Sequence, residues 1–211
     1  MITSPNLHFP WLVHGFGLRD SVPPPDLTMA QQIHSAQVLD ACGRKGERIG
    51  EGDAIISAEP GVAIGIRTAD CVPILVADPE TRIVACIHAG WRGTAANIVG
   101  ASIEALRSRG CRPADLCVAI GPSIGSCCYK VGPEVARRFE RWLDISDGHP
   151  DSDDRSSLDL PAVNQSQLVD AGVRKIWKSG ECTYCKPEHF FSFRREKEQA
   201  GRMISFIKRL A

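Results

Sequence analysis

Residues 68–93 read TADCVPILVADPETRIVACIHAGWRG and contain the stretch that decides the fold. Two apolar runs, at 72–78 and 82–89, are almost continuous in Val, Ile, Leu and Ala. Such runs of strand length indicate β-strands that are covered on both faces. A polar segment with a cysteine precedes the first run, and a segment with a histidine and two glycines follows the second. The sequence therefore predicts a buried core sheet with reactive side chains at the ends of its strands.

Other segments extend this sheet and add helices. Ala95, Ile98, Val99, Ile103 and Leu106 recur at three and four residues, which predicts one helix that Gly110 terminates. Further strands are predicted at 53–57, 62–68, 116–124, 173–180 and 201–209, further helices at 131–143 and from Asp159 to about Gly172, and loops at 21–26 and 146–157. Strands and helices do not alternate strictly, so we expect an α+β fold rather than a doubly wound parallel one. The expected architecture is a single domain over residues 1–211, with a mixed, sandwich-like sheet core flanked by helices.

Composition argues against several classes of protein. The chain has 211 residues, with 25 Lys and Arg against 25 Asp and Glu, so no net basic charge is present to hold nucleic acid. No apolar run reaches the roughly 18 residues that a membrane span needs, and no secretory leader is recognisable, which favours a cytoplasmic protein. Nine cysteines, an odd number, favour free thiols or metal ligands over a disulfide framework.

Three segments carry residues that metal ions bind: His34 in QQIHS, Cys71 in TADC and His88 in HAGWRG. Their separations of 37 and 17 residues match no local metal motif, so spacing alone is a weak signal. Isolated histidines and cysteines are more often packed or hydrogen-bonded than bound to a metal. The residues by themselves leave both interpretations open.

Taken together, the segments resemble a known family. The matching pieces, in order, are QQIHSAQV, GDAIIS, TADCVPILVAD, IHAGWRGT, AIGPSIG with CCYKVG, and CTYCKPEHFFSFRREKEQAGRMISFI. They resemble the YfiH-like proteins, which are described both as laccase-domain or multicopper polyphenol oxidase proteins and as purine nucleoside phosphorylases. The chain departs from that family before QQIH, where a longer loop implicated in nucleoside contact is replaced by SVPPPD.

The resemblance implies a zinc enzyme of purine nucleosides. It implies that His34, Cys71 and His88 bind zinc and leave its fourth position for water or substrate, as in catalytic zinc sites. It implies phosphate-dependent cleavage of adenosine, inosine, guanosine or methylthioadenosine, and deamination of adenosine. The expected partners are therefore a small purine nucleoside and phosphate, with no nucleic acid and no membrane.

Four further residues are candidates for catalysis and substrate binding. Asp70 would transfer protons or orient an imidazole, or else it is a turn aspartate that holds backbone amides. Arg92 would hold phosphate or a sugar hydroxyl, or else it forms a structural ion pair. Phe193 would stack on a purine and Arg195 would neutralise phosphate. Alternatively FFSF (190–193) is core and only one of the neighbouring arginines faces a site.

Other functions stay open. Two histidines and a cysteine also match a blue-copper ligand set, as in a copper-dependent polyphenol oxidase. Only six histidines in the chain, with Met203 the single methionine in a matching segment, argue against a multicopper cluster. Cys71 and His88 would also suit a metal-free thiol hydrolase, and a non-enzymatic nucleoside-binding module is a further alternative.

Four more cysteines form a second pattern. Cys182 and Cys185 make a CxxC, and Cys127 and Cys128 are neighbours, so four thiolates would suffice for a structural zinc. Only one half has the spacing of a zinc ribbon. The sequence therefore favours buried, unligated thiols at these positions.

Overall fold

A computed structural model of the chain describes residues 1–141 and 156–211. The strands are β1 (Leu12–Gly15), β2 (Leu27–Gln31), β3 (Val38–Asp40), β4 (Arg48–Glu51), β5 (Ala54–Ser57), β6 (Ala63–Thr68), β7 (Val72–Ala77), β8 (Val84–Ala89), β9 (Cys117–Ile120), β10 (Lys130–Val131), β11 (Ser156–Ser157), β12 (Lys175–Lys178) and β13 (Met203–Arg209). The helices are α1 (Trp91–Ala95), α2 (Ile98–Arg107), α3 (Pro133–Ala136), α4 (Leu160–Asp170) and α5 (Phe193–Glu196). The predicted core strands are all present.

The strands form two large sheets. One has the order β12-β9-β7-β8-β5-β3 and the other the order β1-β13-β6-β2-β4. In the first sheet β7 pairs antiparallel with β8 and with β9, whereas β12 pairs parallel with β9. The second sheet also mixes the two kinds of pairing, because β6 pairs antiparallel with β13 and parallel with β2. The fold is therefore an α+β arrangement of mixed sheets flanked by helices, as predicted.

Strand β7 shows why the apolar runs are continuous. Ile74 and Val76 belong to a core cluster that includes residues of α2 and α4. Leu75 and Ala77 belong to a second cluster with residues of the five-stranded sheet, such as Ile64. Because successive side chains of a strand point to opposite faces, β7 is buried between helices on one side and a second sheet on the other.

The predicted helix after residue 93 is instead two helices. Asn97 interrupts it with a φ of 59°, in the left-handed region. Its side-chain oxygen accepts a hydrogen bond from the backbone amide of Gly100 at 3.1 Å, so Asn97 caps α2. Asparagine is among the residues that tolerate this conformation and that favour helix N-caps, and this preference overrides the continuous apolar period.

Two other helix predictions have different outcomes. The start of α4 is confirmed, because Asp159 accepts a hydrogen bond from the amide of Ala162 at 2.8 Å. The helix predicted over 131–143 is shorter: α3 ends at Ala136 and a 3₁₀ turn, Arg137–Phe139, follows it. The end of that prediction and most of the 146–157 loop lie outside the described residues.

Within the described part of the chain, no helix is both long and apolar enough to cross a bilayer.

Candidate metal centre and its cavity

The register of β7 and β8 brings Cys71 to His88. Val72 lies opposite Ala89 and Pro73 opposite His88, so the start of β7 is beside the end of β8. His34 approaches from the loop after β2, and its ring meets that of His88 edge-on with centroids 4.9 Å apart. One ligand atom from each of His34, Cys71 and His88 lies within 4.8 Å of the others. Residues that are 37 and 17 positions apart in the sequence are therefore gathered at one point.

A buried carboxylate organises two of these three residues. Asp53 is fully buried, and its Oδ1 lies 2.8 Å from Nδ1 of His88. The same carboxylate accepts hydrogen bonds from the amides of His34 at 3.0 Å and Ser35 at 2.6 Å. His34 has a φ of 59°, an uncommon conformation for a residue other than glycine, and these bonds hold it there. Because Asp53 occupies Nδ1 of His88, Nε2 is the nitrogen left for a metal ion.

The electrostatics favour a thiolate. Burial opposes ionisation of Cys71, but the positive charge of His88 and hydrogen bonds from both imidazoles lower its pKa to about 6. Burial likewise disfavours a charged His88, yet Cys71 and Asp53 raise the pKa of His88 to about 9. The pKa of Asp53 falls to about 2 despite its burial, because His88 and Ser35 hydrogen-bond to its carboxylate. The thiolate is the form of cysteine that binds metal.

Gly90 leaves room for these ligands. A Cβ at this position would lie 2.9 Å from Cδ2 of His34 and 3.0 Å from Sγ of Cys71. Glycine therefore lets the backbone between β8 and α1 pass directly beside the cluster. Two imidazoles, one thiolate and an open approach match the donor set of a catalytic zinc site.

The cluster opens into a cavity of about 800 Å³. Five cationic side chains line it, although the chain as a whole has no net charge: Arg67, Arg92, Arg194, Lys197 and Arg202. Among the described lining residues Asp70 is the only carboxylate. Arginines lie over aromatic rings of the same cavity, with Arg92 at 4.4 Å from the ring centroid of Trp91 and Arg194 at 5.1 Å from that of Tyr129. The cavity therefore favours an anion beside a planar group.

Asp70 lines the cavity, but its hydrogen bonds lead away from the imidazoles. Its carboxylate accepts from the hydroxyls of Thr183 at 2.7 Å and Ser192 at 3.0 Å, and from the amide of Arg194 at 2.6 Å. Asp70 has a φ of 85°, so strained backbone occurs at both His34 and the residue before Cys71. The contact that orients His88 is made by Asp53, and Asp70 joins the Cys71 loop to the C-terminal segment.

The other predicted residues divide between the cavity and its supports. Arg92 is exposed in the cavity, and no carboxylate of the described residues pairs with it. Phe193 also lines the cavity and is 41% exposed, so it is not core. Arg195 does not line it, because its guanidinium bonds to the carbonyls of Thr183, Tyr184 and Phe190 and to Glu196. Arg194 is the one of the two neighbouring arginines that faces the cavity.

Sequence reasoning missed several residues here. Asp53 lies in the matching segment GDAIIS, and a carboxylate at the start of a fully buried strand was a signal that a histidine partner was near. Tyr129 lines the cavity, where burial raises the pKa of its phenol to about 12. Arg67, Lys197 and Arg202 gave no sequence signal, because only the pairing of β6 with β13 brings them to one cavity.

The prediction that the remaining motif cysteines are buried is wrong. Cys127 and Cys185 are exposed, and Cys128 and Cys182 are partly exposed. They lie on turns beyond the ends of β9 and β12, where too little chain passes over them to cover them. None of the nine cysteines, all of which lie in the described residues, forms a disulfide.

Comparisons with known proteins show which family the chain belongs to. A purine nucleoside phosphorylase of Deinococcus radiodurans is 38% identical over 182 residues, which cover 86% of this chain and 70% of that protein. A protein from an unknown prokaryotic organism, named adenosine deaminase RL5, is 38% identical over 198 residues, 87% of this chain and 75% of the other. The crystal structure of YlmD from Geobacillus stearothermophilus superposes with a TM-score of 0.85 at 28% identity, covering 99% of this chain and 94% of that one. Residues 18–210 match the family described as multi-copper polyphenol oxidoreductase laccase, and the chain belongs to that family.

Proposed function

We propose that the protein is a zinc-dependent purine nucleoside phosphorylase that also deaminates adenosine. The observation that carries the proposal is the cluster of His34, Cys71 and His88 at the wall of a cavity lined by five cations. An uncharged nucleoside alone would not need such a cavity, whereas a nucleoside together with phosphate does. Relatives named as phosphorylases and as a deaminase support both activities.

Zinc fits this cluster better than a set of copper ions. In the described residues the other convergent group of ligating side chains contains four cysteines and no histidine. A multicopper centre requires more imidazoles than that. Zinc bound by His34, Cys71 and His88 would supply Lewis-acid chemistry, polarising a water molecule or a heteroatom of the substrate.

The cationic wall would bind and orient phosphate. Arg92 and Arg194 lie on different elements, α1 and α5, and both line the cavity. Planar guanidinium groups donate paired hydrogen bonds to phosphate oxygens. In phosphorolysis a phosphate oxygen bonds to C1′ of the ribose as the bond from C1′ to the purine nitrogen breaks, and the purine leaves with a proton taken from the medium. The positive charges would hold phosphate in position to attack C1′ without themselves reacting with it.

The purine would lie against the aromatic side chains. Phe193, Trp91 and Tyr129 line the same cavity as the cations. Offset stacking on such a ring contributes affinity without selecting one base, which fits a range that includes adenosine, inosine, guanosine and methylthioadenosine.

Asp70 is the candidate for proton transfer. Deamination adds water to the purine carbon that bears the amino group and expels ammonia, so one group must carry a proton from the water to the leaving nitrogen. Asp70 is the single carboxylate among the described residues of the cavity wall. Three hydrogen bonds fix its position and leave an oxygen lone pair for this transfer.

The decisive experiment incubates the zinc-loaded protein with adenosine, with and without phosphate, and identifies the products. We expect adenine and ribose 1-phosphate only with phosphate, and inosine under both conditions. His34→Ala, Cys71→Ala and His88→Ala are each expected to lose the zinc ion of this cluster and turnover, whereas Cys42→Ser, at an exposed cysteine that belongs to neither the cluster nor the cavity wall, retains both. A fully active Cys71→Ala protein would refute the assignment of the ligands.

The same assay, repeated after chelation or alkylation and together with metal analysis, separates the alternative functions. Turnover that survives chelation but is lost on alkylation of Cys71 would indicate a metal-free thiol hydrolase. Saturable nucleoside binding without any product would indicate a binding module. Stoichiometric copper with oxidation of phenols would indicate the oxidase.

A further inference from the structure

Four cysteines converge beside Tyr129 of the cavity wall. Cys127 and Cys128 follow β9, and Cys182 and Cys185 follow β12. These two strands pair in parallel, so their carboxyl ends lie at the same edge of the sheet and the loops that leave them are neighbours. As a result the four sulfur atoms all lie within 4.8 Å of one another. This group is referred to below as the thiol cluster.

The distances match one tetrahedral ion. Sγ of Cys185 lies 3.7 Å from Sγ of Cys127 and 3.3 Å from Sγ of Cys128. With Zn–S bonds of about 2.3 Å, the sulfur atoms of a tetrahedral zinc site are about 3.8 Å apart. These two separations lie within about half an ångström of that value, and the other sulfur pairs lie within 4.8 Å. Shifts of about 1 Å or less would therefore bring the four sulfurs around a single ion.

The backbone around the cluster is already shaped for thiolates. The amide of Gly125 donates to Sγ of Cys182 at 3.3 Å. A Cβ at Gly125 would lie 3.3 Å from Sγ of Cys127, so glycine allows the loop to pass close to the sulfurs. An isolated β-bridge between Ser123 and Cys182, with a hydrogen bond from the amide of Thr183 to the carbonyl of Ser123 at 3.0 Å, ties the two loops together.

We propose that Cys127, Cys128, Cys182 and Cys185 bind a second zinc ion with all four of its positions filled by protein. Binding deprotonates the four thiols and releases their protons to solvent. A site closed by four thiolates leaves no place for substrate, so its role is structural. The partial exposure of these cysteines gives the ion access to the site.

The ion would stabilise one wall of the cavity. Thr183 lies between two of the ligands, and its hydroxyl donates to Asp70 at 2.7 Å. Tyr129 directly follows the other two and lines the cavity. Zinc in the thiol cluster therefore fixes both Asp70 and Tyr129 without contacting the substrate.

Metal analysis of the His34→Ala protein tests this inference separately from the proposed function. We expect one zinc per chain to remain in His34→Ala, and none in the double variant His34→Ala, Cys185→Ser. Cys185→His is expected to restore the ion, because histidine also binds zinc, whereas Cys42→Ser in the same background changes nothing. Zinc that persists in the double variant, or its absence from His34→Ala, would overturn the proposal.

A spectroscopic measurement covers the case in which Cys185→Ser does not fold. Wild-type protein with cobalt in place of zinc is expected to show the intense thiolate-to-cobalt absorption of a four-sulfur site, well above that of a site with one cysteine. A spectrum that corresponds to a single thiolate would contradict the proposal. So would metal-free wild-type protein whose mass is lower by two hydrogens, which indicates a disulfide between these cysteines.

Discussion

The chain gathers ligating side chains at two places, and it does so in different ways. His34, Cys71 and His88 are positioned by the ends of buried strands and by Asp53, a carboxylate with no exposed surface. The thiol cluster lies on two loops. The contact between these loops at the sulfurs is a hydrogen bond from the amide of Gly125 to Sγ of Cys182. The first site is thus organised by the fold and open to a cavity, while the second depends on its own ligands. Removing metal should therefore disturb the second site more.

The two sites are nevertheless joined through Asp70. Asp70 directly precedes Cys71, and its carboxylate accepts the hydroxyl of Thr183, which lies between Cys182 and Cys185. A second hydrogen bond, from the amide of Ile124 to the carbonyl of Asp70 at 3.0 Å, joins Asp70 to the loop that carries Cys127 and Cys128. A change at either cluster can therefore reach the other through Asp70. Variants that act on one site alone are the means to test how separate they are.

The largest effect is expected from Asp53→Asn. The substitution leaves the amides of His34 and Ser35 facing an amide group and removes the charge that pairs with His88. Breaking a buried pair of this kind costs about 3–5 kcal/mol, and loss of such a partner weakens metal binding by roughly 10- to 100-fold. Urea unfolding and competition with a zinc chelator measure the two effects.

Asp26→Asn is the matched control for this prediction. Asp26 is half exposed and pairs with Lys45 at the surface, where an ion pair contributes little. It should leave both stability and zinc content unchanged. An Asp53→Asn protein as stable as this control would contradict the role of Asp53 as the organising carboxylate.

Much of the fold could be predicted from the sequence alone. The apolar runs predicted the core strands, because continuous Val, Ile and Ala at strand length have few other solutions in a folded chain. The break at Asn97 escaped this reasoning, since an apolar period does not record where a capping side chain interrupts it. Local pattern therefore predicted the sheets better than the helix boundaries.

The site was harder to predict than the fold. His34, Cys71 and His88 came from the family resemblance, because their spacing carries no information until the β7–β8 register is known. The sequence offered Asp70 for proton transfer, for orienting an imidazole or as a turn aspartate, and the contact with the imidazole is made by Asp53. The sequence also favoured Arg195 as a substrate contact, whereas Arg194 lines the cavity. Neighbouring residues of the same type differ only in direction, and direction is set by hydrogen bonds to distant parts of the chain.

The second largest effect is expected at Asp70, which joins the two sites. Asp70→Asn should lower kcat for adenosine deamination by roughly 10²- to 10⁴-fold if the carboxylate transfers a proton. Thr183→Val removes one hydrogen bond to Asp70 but keeps the carboxylate. It should therefore lower the same kcat by less than about tenfold, in line with the loss of one hydrogen bond. Steady-state kinetics of both variants decide the matter. Equal losses would mean that Asp70 only positions the cavity wall.

A smaller effect separates the two adjacent arginines. Arg194→Ala removes a cation from the cavity and should raise the KM for phosphate by roughly 10- to 100-fold, as expected for a hydrogen bond to a charged group. Arg195→Ala instead frees the carbonyls of Thr183 and Tyr184, within the CxxC segment. It should lower the thermal stability and leave the KM for phosphate near the wild-type value. A raised KM for phosphate in Arg195→Ala, with an unchanged KM in Arg194→Ala, would mean that Arg195 binds phosphate instead.

The smallest effects come from two glycines, one beside each cluster. Neither has a positive φ, so alanine is tolerated by the backbone and acts only through its added methyl group. In Gly90→Ala that group meets His34 and Cys71 at 2.9–3.0 Å, and such overpacking costs about 1–3 kcal/mol. In Gly125→Ala the nearest sulfur is 3.3 Å away on an exposed loop, so the cost should be about 0.5 kcal/mol. Zinc titration of each variant should show weaker binding only at the adjacent cluster. Weakening of both clusters by either alanine would mean that the contacts of Asp70 couple them into a single site.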